Sequence, residues 1–221
     1  MNTQNPTRLL LLEQGLRLCR EKGLRGIKVR ELAAAAGVNL GSFVYHFGNR
    51  EQFLDELVEL WYAPMFAAIS RTTQAQEHQS AFARLQAVLE QIVTLAADNA
   101  ALISHLLADA LAGEPAAQRF ALSLPGRHPK LLLELIATAQ AEGDLQAAEP
   151  RHQLLFIMST LGGPLLLAAG PLQSCHWLPP QAGPLIQKMA DADAARQRLH
   201  WALQGIRALP PLAPQDGESH E

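Results

Sequence analysis

The sequence predicts an all-α fold in two parts, a small amino-terminal head of three helices followed by a larger helical bundle. Apolar residues recur at helical spacing through most of the chain, and no stretch shows the strict alternation of a half-buried strand. Gly and Pro clusters cut the chain into pieces of helix length. With 221 residues, 48% of them hydrophobic, the chain can fill a sizeable core.

In the first helix Leu9, Leu12, Leu16 and Cys19 share a face between Arg8 and Lys22, and Gly23 is a natural stop. Val29, Leu32, Ala33 and Ala36 mark a short second helix that ends at Gly37. Asn39 is a good N-cap for a third, from near Leu40 to just before Gly48-Asn49. Only about three residues separate the second helix from the third, and two short helices joined by a Gly-containing turn are a helix-turn-helix signature. Spacing alone leaves an αα-hairpin without a DNA role open.

Charge adds a second pointer. Residues 1–50 hold eight Lys/Arg against three acids, a net of +5, and the remainder holds ten bases against eighteen acids, a net of −8. A basic head on an acidic body raises the question of nucleic acid at the amino end, although a solvated helical surface would carry the same charges.

The run "GLRGIKVRELAAAAGVNLGSFVYHFGNREQFL", with the amphipathic helix before it, closely resembles the amino-terminal DNA-binding domain of tetracycline-repressor-like (TetR family) transcriptional regulators. Ala35, Gly37 and Val38, then Gly41-Ser42, Tyr45-His46-Phe47 and Arg50-Glu51 carry the resemblance, which covers roughly the first quarter of the chain. Ile27 and Lys28 stand where the family commonly has two Thr residues, so the second helix lacks a side-chain cap worth about 1 kcal/mol. Cys19 and Gly15 replace a usual Phe and Ala, and Val44 replaces a frequent Tyr. Cys19 reads most simply as a small core residue.

Phe43 and Phe47 read as core. Leu40 and Val44 form an i, i+4 pair one strip over, and periodicity would also assign them inward. The resemblance instead aims positions 40, 41 and 44 at the major groove, where apolar groups meet thymine methyls. Lys28, Arg30, Asn39, Ser42, Tyr45, His46 and Arg50 complete the DNA-contact set with Leu40, Gly41 and Val44, several of them as phosphate partners that position without reading sequence.

Beyond residue 50, helices are expected around 51–70, 78–98, 100–112, 128–142, 150–169 and 184–208, and the Pro-rich end, 210–221, as a disordered tail. The domains are thus 1–50, 51–209 and the tail. Trp61, Tyr62, Met65, Phe66, His105 and Met158 would suit an apolar ligand pocket, or simply core. His105, His128, His152, His176 and Cys175 lack metal-ligand spacing, and no phosphate loop, nucleophile elbow or acid pair occurs, so no metal, no cofactor and no enzymatic activity are expected. Two distant cysteines and a charge-interrupted start fit a cytoplasmic protein with no membrane segment. Pro64 should kink or break the helix that begins at the head, near Ala63.

The resemblance implies a homodimeric regulator that binds double-stranded operator DNA and is most readily a repressor released by an unknown small-molecule effector. The segments "QLLFIMSTLGGPLLLAAG" and "GPLIQKMADADAARQRLHWALQGIRAL" are the candidate dimer helices, the first being apolar nearly all round, with Gly162-Gly163 permitting close contact. The competing reading is a helical ligand-binding or enzymatic protein whose amino-terminal hairpin is only structural.

Overall fold

A computed structural model describes residues 5–170 and 176–208, so Cys175 and the tail expected over 210–221 lie outside the described residues. Eleven α-helices and short 3-10 turns make up the described chain, and its sole strand-like pairing is an isolated bridge between Leu145 and Arg207.

The head is built from α1 (Pro6–Lys22), α2 (Val29–Ala35) and α3 (Leu40–Phe47). Pro6 opens α1, where its missing N–H costs nothing, and the Asn5 side chain accepts from Thr7 N at 3.0 Å. At the start of α2, Lys28 gives no side-chain cap, as its residue type dictates. Asn39 caps α3, its Oδ1 accepting from Ser42 N at 2.8 Å. Phe47 is the last residue of α3, and Phe43, Phe47 and Phe53 meet at ring-centroid separations of 5.5, 5.4 and 4.9 Å. Burying each ring contributes about 1.5–3 kcal/mol, so this trio anchors α3 with one face fixed inward.

α4 (Arg50–Ala75) leaves the head and enters the bundle. It crosses α1 at Gly15, where an added Cβ would lie 2.6 Å from Phe53 Cζ and 3.0 Å from a Leu57 methyl. Glycine there sets how closely the two helices approach. The break expected near Ala63 does not occur, because Pro64 lies on the solvent side of α4. Water can satisfy the Leu60 carbonyl that loses its helical partner, and the rest of the helix is held by packing on either side.

The bundle continues with α5 (Ala81–Asp98), α6 (Ala100–Leu111), α7 (Pro115–Ser123), α8 (His128–Ala141) and α9 (Pro150–Ala169). α7 falls where only Gly/Pro punctuation is apparent in the sequence; Pro115 sits at its first turn, a legitimate helix start that the "AGEP" cluster conceals. The single helix expected over 184–208 is two, α10 (Gly183–Ala190) and α11 (Ala192–Gly205). Asp191 divides them: its backbone is extended and its carboxylate caps α11, accepting from Ala194 N at 2.7 Å. Arg198 then binds the carbonyl of Met189 at the end of α10 and that of Thr160 in α9.

Two hydrophobic cores result. One joins α1, α2, α3 and the first half of α4 to Leu102 and Leu106 of α6 and Ala116 and Ala117 of α7. The other joins the second half of α4 to α5, α8, α9 and α11. The amino-terminal core therefore runs past residue 50 and draws on helices far along the chain.

Candidate nucleic-acid interface

Because Phe43 and Phe47 hold one face of α3 inward, the opposite face is fixed outward. It carries Leu40, Val44 and Tyr45, exposed by 45%, 52% and 83%. That removes Leu40 and Val44 from the core, the alternative that periodicity leaves open. Gly41 is exposed beside them, and His46, half-buried, lies edge-on to the Tyr45 ring at 5.0 Å. The hydroxyl of Ser42 donates to Asn39 Oδ1 at 3.2 Å, so the Asn39 oxygen is occupied by the cap. Lys28 and Arg30, at the start of α2, are exposed. The two helices thus present apolar groups in the middle and cations at one margin, a pattern suited to base edges and phosphates respectively.

Arg50, expected among the phosphate partners, is engaged within the protein in this structure. Its guanidinium donates to the carbonyls of Leu24 at 2.7 Å and Ile27 at 3.0 Å, and to the Glu114 carboxylate at 3.2 Å. Glu114 is buried, and the open carbonyls of the α1–α2 loop offer a planar fork more than a phosphate at the surface would. Asp109, also buried, grips the same loop from α6 by accepting from Leu24 N at 2.6 Å. Gly23 makes room for that carboxylate: its φ is +72° and an added Cβ would lie 2.6 Å from Asp109 Oδ2. These carboxylates are invisible to a reading confined to the head, since they arrive from more than sixty residues away.

Other bases of the head are also spent internally. Arg8 is buried over the Phe47 ring at 5.2 Å and paired with Glu56, Arg17 pairs with Glu21, and Lys22 pairs with Glu31. Arg20, Arg25, Lys28 and Arg30 remain without ion-pair partners among the described residues. Cys19 is buried, and desolvation pushes its thiol up to about 12, so it is an unreactive core residue.

The bundle also carries an apolar pocket of about 210 Å³ lined by residues of α4, α5, α6, α7, α8 and α9. Trp61, Tyr62, Met65 and Met158 line it as the sequence predicts, but Phe66 and His105 do not. Each helical residue advances about 100°, so Phe66 turns away from its neighbour Met65 and stacks on the Tyr62 ring at 5.9 Å. His105 is likewise rotated off the face on which Ile103 meets the cavity. His128, at the start of α8, lines it instead.

An exposed, firmly anchored third helix on a three-helix head, joined by one long helix to a bundle that carries an apolar pocket, defines a helix-turn-helix protein. Residues 11–57 match the family model of bacterial regulatory proteins, tetR family, so the likeness lies in the head. The chain is 38% identical over 63 residues to the HTH-type transcriptional repressor KstR2 of Mycobacterium tuberculosis, a stretch that covers 28% of this chain and 32% of that one. It is 33% identical over 76 residues to the HTH-type transcriptional repressor NemR of Escherichia coli, covering 34% and 38%. The alignments span about a third of these relatives' length. Over the whole chain the likeness is one of fold: the structure of the ketosteroid transcriptional regulator KstR2 of Mycobacterium tuberculosis superposes with a TM-score of 0.66 at 23% identity, covering 94% of this chain and 98% of that one.

Proposed function

We propose that this chain is a cytoplasmic, homodimeric transcriptional regulator that represses by binding duplex operator DNA through α3 and lets go when a small molecule occupies the bundle cavity. The observation that carries the reading is the outward face of α3. An isolated surface helix has no reason to leave Leu40, Val44 and Tyr45 exposed together while Phe43 and Phe47 fix its orientation, whereas a helix laid in a major groove needs that arrangement. Leu40 and Val44 read base edges, and Lys28 and Arg30 hold phosphates.

One such head touches only a few base pairs, so specificity calls for two related by a two-fold axis. The outer surface of α9, α10 and α11 supports pairing there. It exposes Leu155, Phe156 and Leu167 on α9, Leu185 on α10 and Trp201 on α11, and at the exposed Gly163 an added Cβ would meet nothing within 4 Å. By length and composition α9 would also pass for a membrane span, with a mean hydropathy of 1.4, but it packs against α5, α6, α8, α10 and α11. Pairing two such faces removes the apolar surface from water.

The test is binding to bulk duplex DNA as a function of salt, followed by recovery of bound genomic fragments. Affinity should fall steeply with added salt, about one power of concentration per phosphate neutralised, and Lys28→Ala should lower that slope by about one unit. No binding at low salt would favour a ligand-binding protein whose hairpin is only structural.

A further inference from the structure

The cations that lead into α2 are not matched by acids. Between Lys22 and Arg50 the sequence holds a single carboxylate, Glu31, and the Lys22 ammonium donates to it and holds its carboxyl below the ordinary value. What remains along residues 25–30 is Arg25, Lys28 and Arg30, all exposed and without ion-pair partners among the described residues. Lys28 and Arg30 belong to the contact set drawn above. Arg25 does not, because it precedes α2 and lies in no helix.

Its backbone is nevertheless held as firmly as a helical one. The Ile27 N–H donates to the Leu24 carbonyl at 3.0 Å, closing a four-residue turn with Arg25 and Gly26 at its two corners. Leu24 and Ile27, at either end, are 0% and 1% exposed, so the turn is rooted in the core and its Arg25 corner meets solvent. At Gly26 an added Cβ would lie 2.6 Å from the Lys22 carbonyl oxygen, so the turn sits close against the end of α1. Arg50 of α4 holds the carbonyls of both Leu24 and Ile27, and Asp109 of α6 accepts from Leu24 N. A cation on a backbone that is already immobile gives up less freedom on taking a phosphate than one on a loose loop. Among the described residues no hydrogen bond uses the Arg25 side chain, so none has to be broken first.

We infer that Arg25 is a further phosphate contact, and that the rigid α1–α2 turn forms an additional edge of the DNA interface, adding one cation to the row of Lys28 and Arg30. A guanidinium there takes two oxygens of one phosphate by paired hydrogen bonds, which positions the head and reads no base. This rests on the regulator reading above, since it needs duplex DNA laid against α2 and α3.

The full chain is titrated with poly(dA-dT) and poly(dG-dC) duplexes between about 50 and 200 mM salt. Arg25→Ala should weaken binding about threefold to tenfold on both duplexes and lower the salt slope by about one unit. Arg25→Lys should keep the slope, and Arg151→Ala, the same change of charge at an exposed position of α9, should alter neither affinity nor slope. A second readout is taken on the unsubstituted protein, isotope-labelled at the arginine side-chain nitrogens. Its Arg25 Nε–H resonance, identified by its absence from Arg25→Lys, should move when a short duplex is added. A slope left unchanged by Arg25→Ala, a loss confined to one duplex, an equal loss from Arg151→Ala, or an unmoved Arg25 resonance each overturns the inference. If the unsubstituted protein binds neither duplex at low salt, the regulator reading falls and this inference with it; if it binds both and gives any of those four results, this inference alone falls.

Discussion

Replacing Arg50 by Ala would strip three partners at once: the carbonyls of Leu24 and Ile27 and the Glu114 carboxylate. Hydrogen bonds from a charged donor are worth about 1.5–3 kcal/mol when buried, and breaking a buried ion pair costs about 3–5 kcal/mol, because the partner is left charged and dry. The Glu114 side chain is 8% exposed, but that of Arg50 is 34% exposed, so water recovers part of the loss. The expected net cost is about 3 kcal/mol, or a melting temperature lower by about 6–12 °C for a chain of this size. Urea unfolding followed by tryptophan fluorescence measures it, and Arg50→Lys should restore less than half, since an ammonium cannot span three acceptors spread around a planar fork. Adding Glu114→Gln to Arg50→Ala should regain about 1–2 kcal/mol by removing the stranded charge. The salt slope of DNA binding should stay as in the unsubstituted protein. Unfolding within about 0.5 kcal/mol of the unsubstituted protein, together with a slope reduced by one unit, would place Arg50 among the phosphate contacts and refute its role in holding the α1–α2 loop.

Val44→Ala or Leu40→Ala should change operator preference by about 1–3 kcal/mol at one base step, with non-specific affinity and melting temperature nearly unchanged, as competition binding against single-base operator variants would measure. Gly15→Ala should destabilise by about 1–3 kcal/mol in spite of the better helix propensity of alanine, because the new methyl meets Phe53 and Leu57; denaturant unfolding reads this directly. His128 is held at about 4, below its ordinary 6.5, so as pH falls the unfolded chain takes up the proton first, and stability present above pH 6.5 drains away towards pH 4. The loss reaches about 3 kcal/mol, and His128→Phe should flatten that part of the stability–pH curve.

What the sequence discloses follows from how local the information is. α1, α2 and α3 are written in spacing and caps within a few residues of one another, so Asn39, Gly37 and the Phe43/Phe47 pair are legible without neighbours. The outward turn of Leu40 and Val44 is not, because periodicity cannot tell a core strip from a partner strip. The internal partners of Arg50 are hidden for a related cause: its acceptors are backbone carbonyls across a loop and the carboxylate of Glu114 just before α7, and neither has a signature near position 50. The cavity residues on α4 are legible as an aromatic and Met cluster, but which of two adjacent residues faces inward depends on helix phase, so Met65 and Phe66 cannot be separated. Pro64 shows the converse. A strong local rule predicts a kink or a break, and α4 runs through Pro64 without the break, the proline lying on its exposed side.

The grip of α6 and α7 on the α1–α2 loop bears on how such a chain can be recombined. Asp109 and Glu114, with Leu102, Leu106, Ala116 and Ala117, complete an interior that begins at Leu11, so a cut at residue 50 would leave the amino-terminal fragment with bare carbonyls and an open apolar floor. A transplanted reading unit would have to bring the 109–117 corner with it, or meet an equivalent corner on its host. Shuffling of heads among relatives is then filtered by the fit of this seam, and two chains with interchangeable α3 helices need not be interchangeable below them.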